Sequence, residues 1–296
     1  RVNRLLPAVL ATVVMTTIVA SFVVQPDAFG ALALSAAAGV LSAANILFYF
    51  ESGYWDASAE LKPLLHLWSL GVEEQFYLLW PAFIVFLTTA RPGVYRSGLV
   101  AIFLMSLAIC IGYTRIDSTA SFYLLPFRIW QFALGAIALE IWRNDFLTEF
   151  SRQVLRSFGL ALCGISMVAF SEDTLFPGWP ALIPSTGAAL VLISAHETSG
   201  SIWLSNALAR KLGQLSYSLY LVHWPPIVLY RHYSLTDPTP GVTVGLVAIM
   251  LVLTLLLHYG IEQKFYRRGH YANKSWRGLA GYTLGSSMLL AVLLFG

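Results

Sequence analysis

The stretch LKPLLHLWSLGVEEQFYLLWP, residues 61–81, places a histidine and two adjacent carboxylates at the mouth of an apolar helix. Ionisable groups at membrane depth give up hydration, and those that persist there usually serve a function. Composition shows why membrane depth is the right setting. The chain has 296 residues, 57% hydrophobic and only 11% charged, whereas a soluble domain carries about 25% charge. The expected fold class is therefore all-α: a polytopic integral membrane helical bundle, in which every backbone polar group is satisfied within its own helix. Nothing in the small net charge of +3 points to a nucleic-acid partner. Cys110 and Cys163 each lie inside an apolar run and read as packing residues, with no disulfide framework and no metal-ligand spacing.

Working outward, a spanning helix needs about 20 predominantly apolar residues. Runs that qualify lie at 5–24, 75–90, 98–114, 122–142, 157–170, 180–195, 212–230, 241–260 and 278–295, and a tenth, rich in Ala, Gly and Ser, at 28–50. Short loops on the cytoplasmic side carry the excess of Lys and Arg. If all ten runs crossed with Arg1 and Arg4 inside, the arginines of the 91–96 and 143–156 loops and the basic run from Lys264 to Arg277 would face outward. Letting 28–50 enter and leave on one side reverses every later parity, leaving only Lys62, Arg115 and Arg231 outside and Arg128 within a helix. The expectation is thus about nine crossings plus a re-entrant hairpin or pair of half-helices at 28–50, beginning inside and ending outside. No linker divides the chain, so residues 1–296 are expected to form a single membrane domain, truncated at the N-terminus and continuing beyond Gly296.

Pro63 suits the first turn of a helix. A helix from there puts His66, Ser69, Glu73 and Tyr77 on one face, positions seven apart being only about 20° out of register, and turns Glu74 about 80° away. His66 and Glu73 would then orient one another or a substrate hydroxyl. The plainer alternative is an interfacial polar cap between the anchors Trp68 and Trp80. In LGQLSYSLYLVHWPPIVLY, residues 212–230, Ser216, Tyr220 and His223 share a face and two prolines follow. Proline lacks the N–H that meets the carbonyl four residues back, so Pro225 and Pro226 free the carbonyls of Leu221 and Val222 beside His223. This predicts a polar site in a broken helix, or else a kinked packing helix with a core histidine. Arg128, with Gln131 one turn on, either joins such a site or snorkels to the interface. Arg1 and Arg4 share a face, where paired guanidinium forks suit phosphate, although such pairs also serve as positive-inside anchors.

Taken in order, RVNRLLPAVL, PLLHLWSLGVEEQFYLLWP, FRIWQFALGA, LGQLSYSLYLVHWP and YGIEQKFYRR resemble the membrane-bound acyltransferase family 3, which includes O-acetyltransferases of bacterial surface polysaccharides. The resemblance covers essentially the whole chain. It implies a multi-pass protein of the bacterial inner membrane that transfers an acyl group from cytosolic acyl-CoA, acetyl-CoA above all, to a hydroxyl of an extracytoplasmic glycan or lipid-linked glycan. It implies that Arg1 and Arg4 meet the CoA donor, which is a substrate and not a resident cofactor. It also implies a catalytic histidine and partner arginine in a helix upstream of Arg1, and in many relatives an external hydrolase-like domain further on. Candidate site residues are therefore His66, Glu73, Glu74, Arg128, Tyr220 and His223 for catalysis and Arg1 and Arg4 for the donor, with no metal. Broken helices and mid-membrane polar groups also suit a transporter or flippase of a polar lipid or glycan precursor; the absence of a repeated half in the sequence favours the transferase.

Overall fold

The computed structural model describes residues 2–52, 59–90, 93–144, 146–171, 173–195 and 204–265. Among these residues eleven α-helices follow one another: α1 (Val2–Val23), α2 (Pro26–Val40), α3 (Ala44–Glu51), α4 (Leu67–Ala90), α5 (Val94–Thr114), α6 (Ser118–Tyr123), α7 (Ile129–Arg143), α8 (Glu149–Ala169), α9 (Leu182–Ser194), α10 (Ala207–Ser234) and α11 (Pro240–Leu257). No strand occurs among the described residues. Among the described residues four segments are long and apolar enough to cross a membrane: Leu5–Val23, Leu67–Thr89, Val94–Thr114 and Pro240–Phe265. The protein is a polytopic helical membrane protein. Its expected last crossing, at 278–295, lies outside the described residues.

The 28–50 run does not form one helix. It breaks at a turn, where Ser42 adopts a left-handed φ of 57°, into helices of 15 and 8 residues. Neither reaches the length needed to span, which is the pair of half-helices expected. The run at 122–142 is divided as well: Pro126 sits in a 3-10 turn between α6 and α7. The expected break in 212–230 is absent. Helix α10 continues for 28 residues through Pro225 and Pro226, and the Leu221 carbonyl that Pro225 strands finds another donor.

The helices form two compact units, Arg1–Gly71 with Asn206–Gly296, and Val72–Ser205. In the first, α1 packs on α2, α10 and the π-helical turn His258–Glu262 that ends α11. Gly71, at the start of α4, lies against the α2–α3 turn: a Cβ there would sit 2.6 Å from Asn45 Oδ1 and 3.2 Å from the Ser42 carbonyl. That close approach holds the end of the 61–66 segment in place. The second unit shows the inversion expected of a protein bathed in lipid. Helix α8 buries Arg152, Arg156, Gly159 and Ser166 and exposes Phe150, Val154, Phe158, Ile165, Met167 and Val168. Lipid tails are as apolar as leucine, so the apolar face gains nothing by turning inward, and small residues let backbones approach. Gly159 and Gly187 provide that approach between α8 and α9, each leaving only 2.6–2.7 Å between a notional Cβ and the other's carbonyl. Arg156 donates to the Ser194 carbonyl at the end of α9 (3.1 Å), where the helix dipole favours a cation.

Candidate functional site

The segment before α4 is built of successive turns, and α10 straps it down. Three α10 side chains donate to its carbonyls: His232 Nε2 to Leu61 (2.9 Å), Trp224 Nε1 to Lys62 (2.9 Å) and Tyr220 Oη to His66. Positions 220, 224 and 232 are four and eight apart and so recur on one stripe of α10. Arg231 adds ion pairs to Glu60 (3.1 Å) and Asp237 (3.0 Å), and Lys62 reaches Glu51 (2.9 Å). The strap runs in the other direction once. His66 Nε2 meets the carbonyl of Leu221 at 3.0 Å, the carbonyl that Pro225 leaves without a backbone donor.

These bonds fix the protons. A carbonyl only accepts, so Nε2 of His66 carries the hydrogen, and Nδ1 is left as a bare nitrogen, buried and without a partner. Burial, helped by the neighbouring His223 ring, pushes the His66 pKa down to about 3, so the ring is neutral at neutral pH. His223 takes the opposite tautomer. Its Nδ1 donates to the Tyr220 carbonyl at 2.6 Å, and in the neutral ring Nε2 is then the acceptor. A backbone carbonyl on Nδ1 is a common way of aiming the other nitrogen at its work. The rings of His66, His223 and Tyr220 lie 5.4–5.7 Å apart, with the Ser69 hydroxyl on the Tyr220 oxygen. The result is a compact group of two imidazoles, a phenol and an alcohol, suited to receiving and orienting a hydroxyl. Among the described residues no group of three or more His, Cys, Asp or Glu could hold a metal ion.

Not every candidate joins this group. Helix α4 begins at Leu67, so His66 lies outside it and does not share a helical face with Glu73. The expected His66–Glu73 hydrogen bond is not made, since one ring nitrogen is committed to Leu221 and the other has no partner. Glu73 and Glu74 occupy the second turn of α4, both half-buried, in the unit that begins at Val72. Arg128 stands just ahead of α7, its guanidinium 5.3 Å over the Phe122 ring. Ser216 bonds back to the Gly213 carbonyl on an exposed face and takes no part. Arg1 and the side chain of Arg4 lie outside the described residues. The backbone of the first α1 turn is tied to α10 by Tyr217 Oη donating to the Leu5 carbonyl (2.8 Å).

A second polar cluster was missed in the sequence. Glu262, 3% exposed, accepts from Ser218 Oγ and from His258 Nδ1, both at 2.8 Å, while Gln263 bonds the other ring nitrogen of His258. Its signal was the i,i+4 His–Glu pair within HYGIE at the end of an apolar run, a polar pair that calls for a partner at such depth.

The chain is an acyltransferase, an enzyme that moves acyl groups, built into a membrane. It belongs to the acyltransferase-domain family, whose model matches residues 1–259. BcsY of Komagataeibacter xylinus, named as a membrane-bound transacylase, is 29% identical over 296 residues, covering 99% of this chain and 74% of BcsY. O-acetyltransferase OatA of Staphylococcus aureus is 27% identical over 272 residues, 87% of this chain and 44% of OatA. Peptidoglycan O-acetyltransferase OatA of Listeria monocytogenes is 28% identical over 335 residues, 99% of this chain and 53% of OatA. The chain thus spans about half the length of the two OatA proteins. No solved structure gives a significant match.

Proposed function

We propose that this protein is an O-acyltransferase of the bacterial inner membrane that moves an acetyl group from cytosolic acetyl-CoA to a hydroxyl of an extracytoplasmic surface glycan. The observation that carries the reading is the pairing of opposite tautomers in the His66–Tyr220–His223 group, which leaves His223 Nε2 as an acceptor for a sugar hydroxyl. The relatives named as O-acetyltransferases supply the reaction class. In the reaction the glycan oxygen attacks the thioester carbonyl, a C–O bond forms, the C–S bond breaks, and the hydroxyl proton ends on the departing thiol. A hydroxyl is a weak nucleophile until a base takes its proton as the bond forms. His223 accepts the hydrogen bond that aims the hydroxyl, and the base that completes the transfer is the upstream histidine the family resemblance implies. Arg1 and Arg4 bind the phosphates of CoA as bidentate forks. No resident cofactor is needed, and the partners are the donor, the glycan or lipid-linked glycan, and membrane lipid.

Radiolabelled acetyl-CoA supplied to inverted vesicles of the full-length protein tests this. Label should appear as alkali-labile ester on glycan, and replacing Arg1 and Arg4 with Ala should raise the KM for acetyl-CoA while leaving glycan binding intact. Lysine should rescue only partly, lacking the planar fork. Label transfer with unchanged donor KM in the double variant would reduce the arginines to topology anchors, and no ester at all would end the reading.

A further inference from the structure

Pro225 has a chemical consequence beyond its effect on the helix. In an unbroken α-helix each carbonyl accepts from the N–H four residues on. Here α10 stays helical through residue 225, yet proline has no N–H to offer the Leu221 carbonyl. That carbonyl is buried, with Leu221 at 0% exposure, and a buried carbonyl without a donor is costly. His66 Nε2 takes the place at 3.0 Å, from a residue 155 positions away. The neighbouring proline makes a contrast. Pro226 strands the Val222 carbonyl in the same way, but the His66 bond goes to Leu221.

We propose that Pro225 is a positioning residue for acyl transfer: by withholding its N–H it reserves the Leu221 carbonyl for His66 and so fixes which nitrogen of His66 carries the proton. The proposal rests on the functional reading above and adds to it a residue that touches neither substrate. Two consequences define it. With Nε2–H committed, His66 presents only a bare Nδ1 to its surroundings, and its ring cannot turn over without leaving Leu221 unpaired. The ring stands edge-on to Tyr220 and His223 at 5.7 and 5.6 Å, so the same bond sets the wall against which His223 is aimed. Restoring an N–H at position 225 puts a backbone donor, covalently held in place, in competition with an imidazole that must be brought there by tertiary packing.

The experiment separates the missing N–H from the proline ring. In the full-length protein, Pro225→Ala supplies the N–H, whereas lactic acid placed at 225 by nonsense suppression gives the same methyl group with an ester oxygen in place of N–H. Histidine labelled with 15N reports the His66 tautomer, and acetyl transfer to glycan reports function. Wild type and the lactic acid variant should show His66 protonated on Nε2 alone. Pro225→Ala should show a mixture of tautomers and at least about a 10-fold lower transfer rate at unchanged acetyl-CoA KM, since small misplacements of oriented groups cost that much or more. Pro226→Ala should keep the tautomer and stay within about 2-fold of wild-type rate. Pro225→Ala and lactic acid variants that behave alike, or Pro225→Ala and Pro226→Ala that lose equally, would overturn the proposal and leave Pro225 as a shape residue. The tautomer measurement needs no acyl transfer, so a failure of the functional reading would leave it decisive, and a tautomer that does not change in Pro225→Ala would refute it while the functional reading stood.

Discussion

His66 is the residue at which the physical constraints meet: its carbonyl is held by Tyr220, its ring by Leu221. Residues that act as one unit give non-additive losses, so His66→Ala and Tyr220→Phe should each lower acetyl transfer by at least about 10-fold, the lower end of what positioned acid–base groups contribute, and the double variant should be little worse than either. His66→Ala with Glu73→Gln should instead combine nearly additively in log rate, since the His66 ring nitrogens make no bond to Glu73; strong coupling between those two would restore the shared face expected from the sequence. The same histidine makes stability depend on pH. Its ordinary value of 6.5 holds in the unfolded chain, and the folded value is about 3. Between these the unfolded state binds a proton that the native state refuses, so this contribution is fully present above pH 6.5 and is lost as pH falls toward 3. Thermal unfolding in detergent should show Tm falling from pH 7 to pH 4.5 by more in the wild type than in His66→Ala; equal falls would show that His66 does not carry the effect.

At the scale of elements, periodicity and composition revealed the helices but not which way each faces. The break inside 28–50 was legible from charge parity alone, and the freed Leu221 carbonyl from proline chemistry alone. What takes that carbonyl was not legible, because the donor lies in a turn rather than on the helix a run from Pro63 suggests: three successive turn bonds at Leu65, Leu67 and Trp68 delay α4 to Leu67. Helix α8 would mislead a reader who assumes that apolar means buried, since its arginines and glycine pack inward and its phenylalanines outward. That inversion makes a prediction among its glycines. Gly159→Ala and Gly187→Ala push a methyl into a facing carbonyl at 2.6–2.7 Å and should each cost about 1–3 kcal/mol as overpacking does. Gly164→Ala, on the same α8 with nothing within 4 Å, should be neutral or gain up to about 1 kcal/mol from helix propensity. Tm shifts of the three variants decide it, and equal shifts would deny the close packing.

For the whole molecule the open question is which end of each helix meets the cytosol, and charge answers it as a prediction. Cysteines placed at 53–60 should react with an impermeant reagent applied from outside intact cells, and cysteines at 92–95 should not; the reverse pattern would sink both the re-entrant assignment and the outward placement of the 61–66 segment. The native thiols interfere little, Cys110 being buried and Cys163 half-buried.

The strap across 61–66 has a further result for how the protein tolerates change. Its bonds run from α10 side chains to main-chain oxygens, and every amino acid supplies the same oxygen. The identity of Leu61 is therefore nearly irrelevant to holding that segment, whereas Trp224 and His232 are not replaceable in this way. A saturation library scored for surface acetylation should accept most substitutions at 61 and few at 224 and 232, so that a position held through its main chain drifts freely in sequence while the helix that holds it does not.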